Sequence, residues 1–324
     1  MKDRFGREID YIRVSVTDRC NFRCIYCMPE KGIAPKSSED ILRFEEIARF
    51  LKAIAPLGVS KVRITGGEPL VRKGIVDFVA MVRHIPEIQD IALTTNGSLL
   101  AELAADLKRA GLDRVNVSLD SLNPEKFRRM TRGGNLKSVI KGIEAALEHG
   151  LVPVKVNCVV IKGFNDDEVA DFVKLAIDYP LTVRFIELMP IGESVREGME
   201  LVPQDHIARI LGLKLEPVKY PEKGAGPAVY YKIPGGKGYV GFIAPITRHF
   251  CAYCNRIRLT SDGKLKVCLA SEEEIDIKAP LRGGASVEEL QRIFVNALMK
   301  KPEGHRMNVV PFRKTKRTMC QIGG

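Results

Sequence analysis

The sequence lacks tryptophan, and its aromatic residues make up 6% of 324 positions. It also lacks any apolar run approaching the roughly 20 residues that a membrane-spanning helix needs. The first residues, MKDRFGREIDYIR, contain no apolar signal region. These absences argue against a membrane or exported protein, and we expect a chain that works in the cytoplasm with reduced thiols.

Cysteine is scarce, with eight residues in the chain, which is too few for a disulfide scaffold of this length. Six of the eight nevertheless fall into two groups with the spacings C-x3-C-x2-C and C-x2-C-x13-C. Three thiolates suit a [4Fe-4S] cluster whose fourth iron stays free to bind a substrate or cofactor. Structural zinc, which needs four ligands, is the open alternative, and His249 could complete the second group. The groups are Cys20, Cys24 and Cys27, and Cys251, Cys254 and Cys268.

The charge of the chain is unbalanced, with 51 basic against 40 acidic residues and a formal net charge of +11. Such an excess indicates an anionic partner. The run RKTKR at 313–317 would suit nucleic acid, but the few aromatics and the dispersed basic residues argue against that function.

Hydrophobic periodicity alternates between two and 3.6 residues, which predicts strand and helix in turn. Six such repeats predict parallel βα units, fewer than the eight of a closed barrel. We therefore expect an incomplete (β/α)6 TIM-like barrel, with a doubly wound sheet as the alternative. The predicted strands are 12–16, 61–65, 91–95, 114–119, 154–161 and 182–188, and the predicted helices are 41–54, 75–85, 99–110, 136–149 and 167–177.

Within these strands one set of alternate residues is apolar and the other is polar. Val14 and Val16, for example, alternate with Arg13 and Ser15. A doubly wound sheet would be apolar on both faces, so one polar face favours a barrel with a polar lumen. Alternation directs several cations into that lumen, where they would bind phosphate or carboxylate: Arg13, Lys61, Arg63 and Lys155.

Loops rich in polar residues and glycine follow the strands: TGGEP at 65–69, TTNG at 94–97, SLDS at 118–121 and ELMP at 187–190. The first cysteine group follows the first strand. In parallel βα folds the carboxyl ends of the strands carry the active site, so these loops should meet there.

The pattern changes near residue 215 to segments rich in proline and glycine that resemble strands, with a helix at 287–298. We therefore predict a barrel domain over 1–215 and a smaller C-terminal α+β region over 216–324, which holds the second cysteine group. Arg256 and Arg258 should point to the same side of a strand there.

The cysteine spacing with an aromatic before Cys27, followed by GGEP, resembles the radical S-adenosylmethionine superfamily. The second cysteine group, the stretch CNRIRLTSDGKLKVC and the final GG are similar to one family within it, the GTP 3′,8-cyclases of molybdenum cofactor biosynthesis. The likeness extends over nearly the whole chain.

That resemblance implies two [4Fe-4S] clusters. The first would bind S-adenosylmethionine and cleave it reductively to a 5′-deoxyadenosyl radical, which takes hydrogen from C3′ of GTP before the new radical attacks C8. The second would contact the guanine base. The resemblance places Tyr26, Gly67, Ser118 and Met189 around S-adenosylmethionine.

For GTP, the resemblance implies Arg13, Lys61, Arg63, Thr94, Lys155, Arg184, Arg256 and Arg258. Strict alternation puts Arg184 opposite Glu187 and Met189, so its lumen position would require a bulge.

The resemblance also implies that Gly323 and Gly324 reach back into the active site, with Arg13, Arg256 and Arg258 as receivers of the tail. Cys158 falls on the apolar, helix-facing side of its strand and should be inert core, and Cys320 is expected to be incidental. The implied partners are a reducing electron donor and a downstream pyranopterin-forming enzyme. Neither nucleic acid nor a membrane is an expected partner, and the resemblance is compatible with a homodimer. A radical enzyme acting on a peptide is the alternative.

Overall fold

The computed structural model describes residues 1–192, 199–211, 217–219, 226–307 and 317–323. Six parallel strands form the centre of one sheet and pair in chain order. They are β1 (Tyr11–Ser15), β2 (Lys61–Thr65), β3 (Asp90–Thr95), β4 (Arg114–Ser118), β5 (Lys155–Val160) and β6 (Thr182–Glu187). The incomplete barrel predicted from periodicity is confirmed.

Helices alternate with these strands and cover the apolar face of the sheet. Val14, Ile64 and Val117 are fully buried beneath them. The helices are α1 (Phe44–Ile54), α2 (Ile75–Arg83), α3 (Leu100–Arg109), α4 (Pro124–Thr131), α5 (Leu136–Glu148) and α6 (Val169–Asp178).

Local sequence explains the helix ends. The side chain of Asn135 accepts from the backbone of Lys137 and starts α5, and Gly150, at a φ of 68°, follows its end. The periodicity missed α4, although Asn123 caps it and Pro124 occupies its first turn, a common start signal.

The C-terminal segments extend the same sheet at both edges. Strand β9 (Tyr239–Ile243) pairs in parallel with β6, and β10 (Arg256–Leu259) pairs in parallel with β1. Antiparallel strands continue outward as β8 (Val229–Lys232) and β7 (Pro217–Val218) on one side, and as β11 (Lys264–Lys266) and β12 (Ile275–Asp276) on the other.

Within the described ranges four further helices follow, and the predicted helix near 287–298 is one of them. They are α7 (Gln204–Leu211), α8 (Lys278–Arg282), α9 (Val287–Met299) and α10 (Met319–Ile322). The predicted boundary at residue 215 lies outside the described residues and stays a prediction. In the part of the chain that the structure describes, no helix is long and apolar enough to cross a membrane.

Candidate active site

The first cysteine group lies on the loop that leaves β1 at its carboxyl end. This loop is tied to the end of α4, because the N–H groups of Arg23 and Ile25 donate to the carbonyls of Thr131 and Met130 at 3.0 and 2.9 Å. Phe22 also packs edge-on against a ring of α4. Both backbone hydrogen bonds and side-chain packing therefore hold the cysteine loop against α4.

All three thiols of this loop are half-buried and free of disulfides. Burial raises the pKa of Cys20 to about 12 and that of Cys24 well above its usual range. Contact with the Cys320 thiol, together with burial, raises the pKa of Cys27. Thiolates in such a place need a cation to compensate them, and the iron of a cluster provides that charge.

The GGEP loop after β2 packs directly against the cysteine loop. A Cβ on Gly66 would lie 2.8 Å from the carbonyl oxygen of Thr17, and one on Gly67 would lie 2.4 Å from that of Arg19. Both positions must therefore be glycine for the backbone to approach so closely. This contact supports the chain just before Cys20.

Glu68 in the same loop is a buried carboxylate that the sequence reasoning did not assign. It accepts from the Thr95 hydroxyl at 2.7 Å and from the backbone N–H groups of Asn96 and Leu70 at 2.6 and 3.0 Å. Burial raises its pKa to about 7. Glu68 therefore joins the loops that follow β2 and β3.

Tyr26, on the first cysteine loop, links that loop to the segment that follows β4. Its hydroxyl donates to Asp120 at 2.7 Å, and the other oxygen of Asp120 accepts from the Val159 N–H at 2.8 Å. Burial raises the pKa of Asp120 to about 6. Tyr26, Ser118 and Met189 all line the central cavity, whereas the sequence reasoning missed Asp120.

A cavity of about 260 Å³ occupies the lumen, and its wall is strongly basic. Three arginines lie at paired positions on neighbouring strands, because Arg13 of β1 is in register with both Arg258 of β10 and Arg63 of β2. We call these three residues the arginine row. Like charges on adjacent strands repel one another, so this arrangement favours an anion in the cavity.

The buried polar atoms of the arginine row support the same conclusion. The Nε atoms of Arg13 and Arg63 and the hydroxyl of Thr94 are buried without a hydrogen-bond partner among the described residues. Burial and repulsion from neighbouring arginines lower the pKa of Arg13. Burial lowers the pKa values of Arg63 and Arg258 to about 10.

Arg184 also lines this cavity. Its guanidinium donates to Asn157 at 2.8 Å and to Asn116 at 2.6 Å. No bulge is needed to explain the position, because Met189 follows the end of β6 and alternation no longer applies there. Glu187 points to the opposite side and accepts from the loop at Thr247.

Two predicted GTP ligands lie apart from the arginine row. Lys61 forms an ion pair with Asp10 at 2.6 Å, with 41% of its side chain exposed. Lys155 is completely buried, and its Nζ lies 5.7 Å from the ring centre of Tyr230.

The second cysteine group lines the same cavity from the C-terminal side. Cations surround it: the Lys301 ammonium donates to the Cys254 Sγ at 3.7 Å and to the Arg256 carbonyl at 2.8 Å. Burial raises the pKa of Cys254, but Arg256 and Lys301 outweigh it and bring the pKa to about 7. Lys301, 2% exposed, is a third residue that the sequence reasoning missed, after Glu68 and Asp120.

Two histidines flank this group. Ligand atoms of His249, Cys251 and His305 all lie within 4.8 Å of one another. The site thus retains the ligand types for the zinc alternative, with His305 added to the predicted His249.

The tail brings Gly323 to the ends of β1 and β2. Its carbonyl accepts from the Arg13 guanidinium at 3.1 Å, and a Cβ there would lie 2.6 Å from the Thr65 hydroxyl. With a φ of 85°, the position requires glycine for two reasons. Arg317 fastens the tail through Asp262 and Glu274. Gly324 lies outside the described residues.

The two remaining cysteines have different surroundings. Cys158 is 1% exposed in the main hydrophobic core. Cys320, 2% exposed, contacts Cys27 of the first group. Nothing in the spacing of the cysteines indicates that contact, because it depends on the docking of the tail.

The family model described as "Radical SAM superfamily" matches residues 14–176, and that described as "Molybdenum Cofactor Synthesis C" matches residues 181–307. Proteins named GTP 3′,8-cyclase are 53% identical in Heliobacterium modesticaldum and 51% in Moorella thermoacetica, each over 327 residues that cover the whole of both chains.

A solved structure of Streptococcus suis SuiB bound to S-adenosylmethionine has a TM-score of 0.60 at 14% identity, covering 97% of this chain and 77% of that one. SuiB bound to its precursor peptide SuiA has a TM-score of 0.61 at 14% identity, covering 98% and 76%. At this identity the likeness concerns the fold alone.

Proposed function

The chain belongs to the GTP 3′,8-cyclase family of radical S-adenosylmethionine enzymes, and from that premise we propose that it converts GTP to (8S)-3′,8-cyclo-7,8-dihydroguanosine 5′-triphosphate. This reaction is the first step of molybdenum cofactor biosynthesis. The observation that carries the proposal for this chain is the arginine row, a set of cations that faces a cavity lined also by the second cysteine group and by Tyr26 of the first cysteine loop.

The first site fits its cofactors. Cys20, Cys24 and Cys27 would hold a [4Fe-4S] cluster, which in this superfamily supplies the electron that cleaves S-adenosylmethionine to a 5′-deoxyadenosyl radical. Tyr26, held by Asp120 at 2.7 Å, and the backbone at Gly67 would position S-adenosylmethionine together with Ser118 and Met189.

The arginine row would bind the triphosphate of GTP. Guanidinium groups bind phosphate oxygens in pairs, and the Nε atoms of Arg13 and Arg63, which no described residue accepts from, are available as donors. Thr94 and Arg184 would complete the pocket. We retain Lys61 and Lys155 as binding residues, with Asp10 and Tyr230 as their present neighbours.

We propose a second [4Fe-4S] cluster on Cys251, Cys254 and Cys268, where it would face the guanine base. The neighbouring cations, Lys301 and Arg256, support thiolates here and so favour cluster binding. The same cations would also stabilise negative charge on the ligand.

The tail would act on the intermediate rather than on a metal. Gly323 reaches Arg13, so the tail contacts the arginine row directly. We propose that Gly323 and Gly324, with Arg13, Arg256 and Arg258, position the cyclising nucleotide.

The proposal extends to the surroundings of the reaction. A reducing protein would supply electrons, a pyranopterin-forming enzyme would consume the product, and the enzyme would work in the cytoplasm as a barrel domain over 1–215 with a C-terminal region over 216–324.

Anaerobic incubation of the reconstituted enzyme with GTP, S-adenosylmethionine and dithionite tests the function. We expect 5′-deoxyadenosine and a cyclised nucleotide, and formation of the cyclised nucleotide should require GTP, S-adenosylmethionine and dithionite together. Iron, sulfide and zinc should be measured in the same preparation. Zinc without sulfide, or 5′-deoxyadenosine without a cyclised nucleotide, would contradict the proposal.

A further inference from the structure

A second groove lies outside the barrel against the first cysteine loop. It has a volume of about 440 Å³ and shares no lining residue with the central cavity, as far as the described residues go. Cys20 forms part of its wall. One of the three thiols of the first group is therefore reached from outside without passing through the substrate cavity.

The rim of this groove is basic. Arg19, Arg23 and Lys31 line it, and all three are exposed. Asp18, which also lines it, is 2% exposed and accepts from the backbone N–H of Lys36 at 3.0 Å, so it adds little exposed negative charge. Glu30, an exposed carboxylate of the same loop, does not line the groove. Among the charged residues that line it, the three exposed ones are therefore all cations.

The floor of the groove is apolar, and its backbone is fixed. Met28, Ile33 and Pro35 line it. Arg132 donates to the carbonyls of Met28 and Arg23 at 3.0 and 3.3 Å, which ties the loop to the end of α4. An apolar centre inside a charged rim is the composition of a protein docking surface, and a fixed backbone reduces the cost of binding.

We propose that this groove docks a small acidic electron-transfer protein of low reduction potential, which delivers the electron to the first cluster past Cys20. This inference rests on the proposed function, since the cluster must be reduced before S-adenosylmethionine is cleaved. One electron leaves the carrier and one arrives on the cluster, and no other reactant is needed. Complementary charge would act mainly on the rate of association.

The test compares two charge-reversal pairs of equal charge change. Arg19→Glu with Lys31→Glu alters the groove, and Lys52→Glu with Arg292→Glu alters exposed positions on α1 and α9. Reduction of the reconstituted enzyme by a pre-reduced acidic ferredoxin is followed by stopped-flow loss of iron–sulfur absorbance, and by electron paramagnetic resonance of the first cluster. Dithionite serves as the control reductant, because a small molecule needs no docking surface on the enzyme.

We expect the groove pair to lower the rate with ferredoxin by about 10-fold or more at low ionic strength, with the difference shrinking at high salt. The control pair should change that rate less than 2-fold. All variants should have wild-type iron content and equal rates with dithionite, which keeps a damaged cluster distinct from a damaged docking surface.

Equal ferredoxin rates in the groove pair and the wild type would overturn the proposal. An equal loss in both pairs would also overturn it, because the effect would then come from net charge. Neither readout requires GTP, so a failure to form the cyclised nucleotide would bear on the proposed function alone.

Discussion

Arg63 offers a test in which two measured quantities should move in opposite directions. In Arg63→Met the side-chain stem remains but the cation is lost. Arg63 is 7% exposed, its Nε has no hydrogen-bond partner in the described parts of the chain, and burial lowers its pKa to about 10, so its charge costs free energy in the unliganded protein. We expect the variant without ligand to unfold at the same temperature as the wild type or higher.

The same change should weaken GTP. A hydrogen bond to a charged group contributes about 1.5 to 3 kcal/mol, which corresponds to a Kd raised about 10- to 150-fold. Guanosine, which lacks phosphate, should change less than 2-fold. Anaerobic calorimetry with the two ligands measures the difference, and ligand-induced stabilisation gives an independent check.

Arg114→Met is the matched control. Arg114 is equally buried, but it donates to Asp90 at 3.0 and 2.6 Å, so its loss leaves a buried carboxylate without its partner. Such a loss costs about 3 to 5 kcal/mol, and GTP affinity should stay close to that of the wild type. Destabilisation of both variants alike, or equal weakening of GTP and guanosine by Arg63→Met, would refute the reasoning.

Three further outcomes are expected. Cys24→Ala should abolish formation of 5′-deoxyadenosine, whereas Cys254→Ala should keep the first cluster's resonance signal and lose GTP turnover; normal cyclisation by Cys254→Ala would make the second group structural. Deletion of Gly323 and Gly324 should preserve both clusters and the formation of 5′-deoxyadenosine but block formation of the cyclised nucleotide. If the shortened enzyme forms the cyclised nucleotide at the wild-type rate, the two glycines have no role in the reaction. Because the pKa of Glu68 is raised from 4.5 to about 7, its contribution to stability is complete below pH 4.5 and is lost as the pH rises through about 7. In denaturant titrations Glu68→Gln should lack this loss, which amounts to up to about 3 kcal/mol of unfolding free energy. If the variant and the wild type have the same pH dependence, Glu68 is ionised throughout.

The barrel could be predicted because its signal is local. In β1 and β2, apolar residues such as Val14 and Ile64 alternate with arginines, and alternation along a strand fixes the side that each residue faces. Alternation alone assigns Arg13 and Arg63 of the row to the lumen, whereas for Arg258 it predicts only the same side of its strand as Arg256. Only the register, which places them side by side, needed the structure.

Other parts of the site depend on contacts between distant segments. Nothing near Lys301 indicates that its ammonium lies 3.7 Å from the sulfur of Cys254. Asp120 is in the SLDS loop, but its hydrogen bond with Tyr26 depends on how the first cysteine loop folds back. A single sequence does not identify such groups, because their role comes from the fold and not from a neighbouring motif.

The parallel pairing of β1 with β10 has a consequence for folding. It joins segments from opposite ends of the chain, and pairings of such long sequence separation form slowly. This pairing also brings Arg13 beside Arg258, so electrostatic repulsion opposes its closure. We therefore expect the central cavity to be completed late in folding, and polyphosphate anions should speed its completion in a refolding experiment.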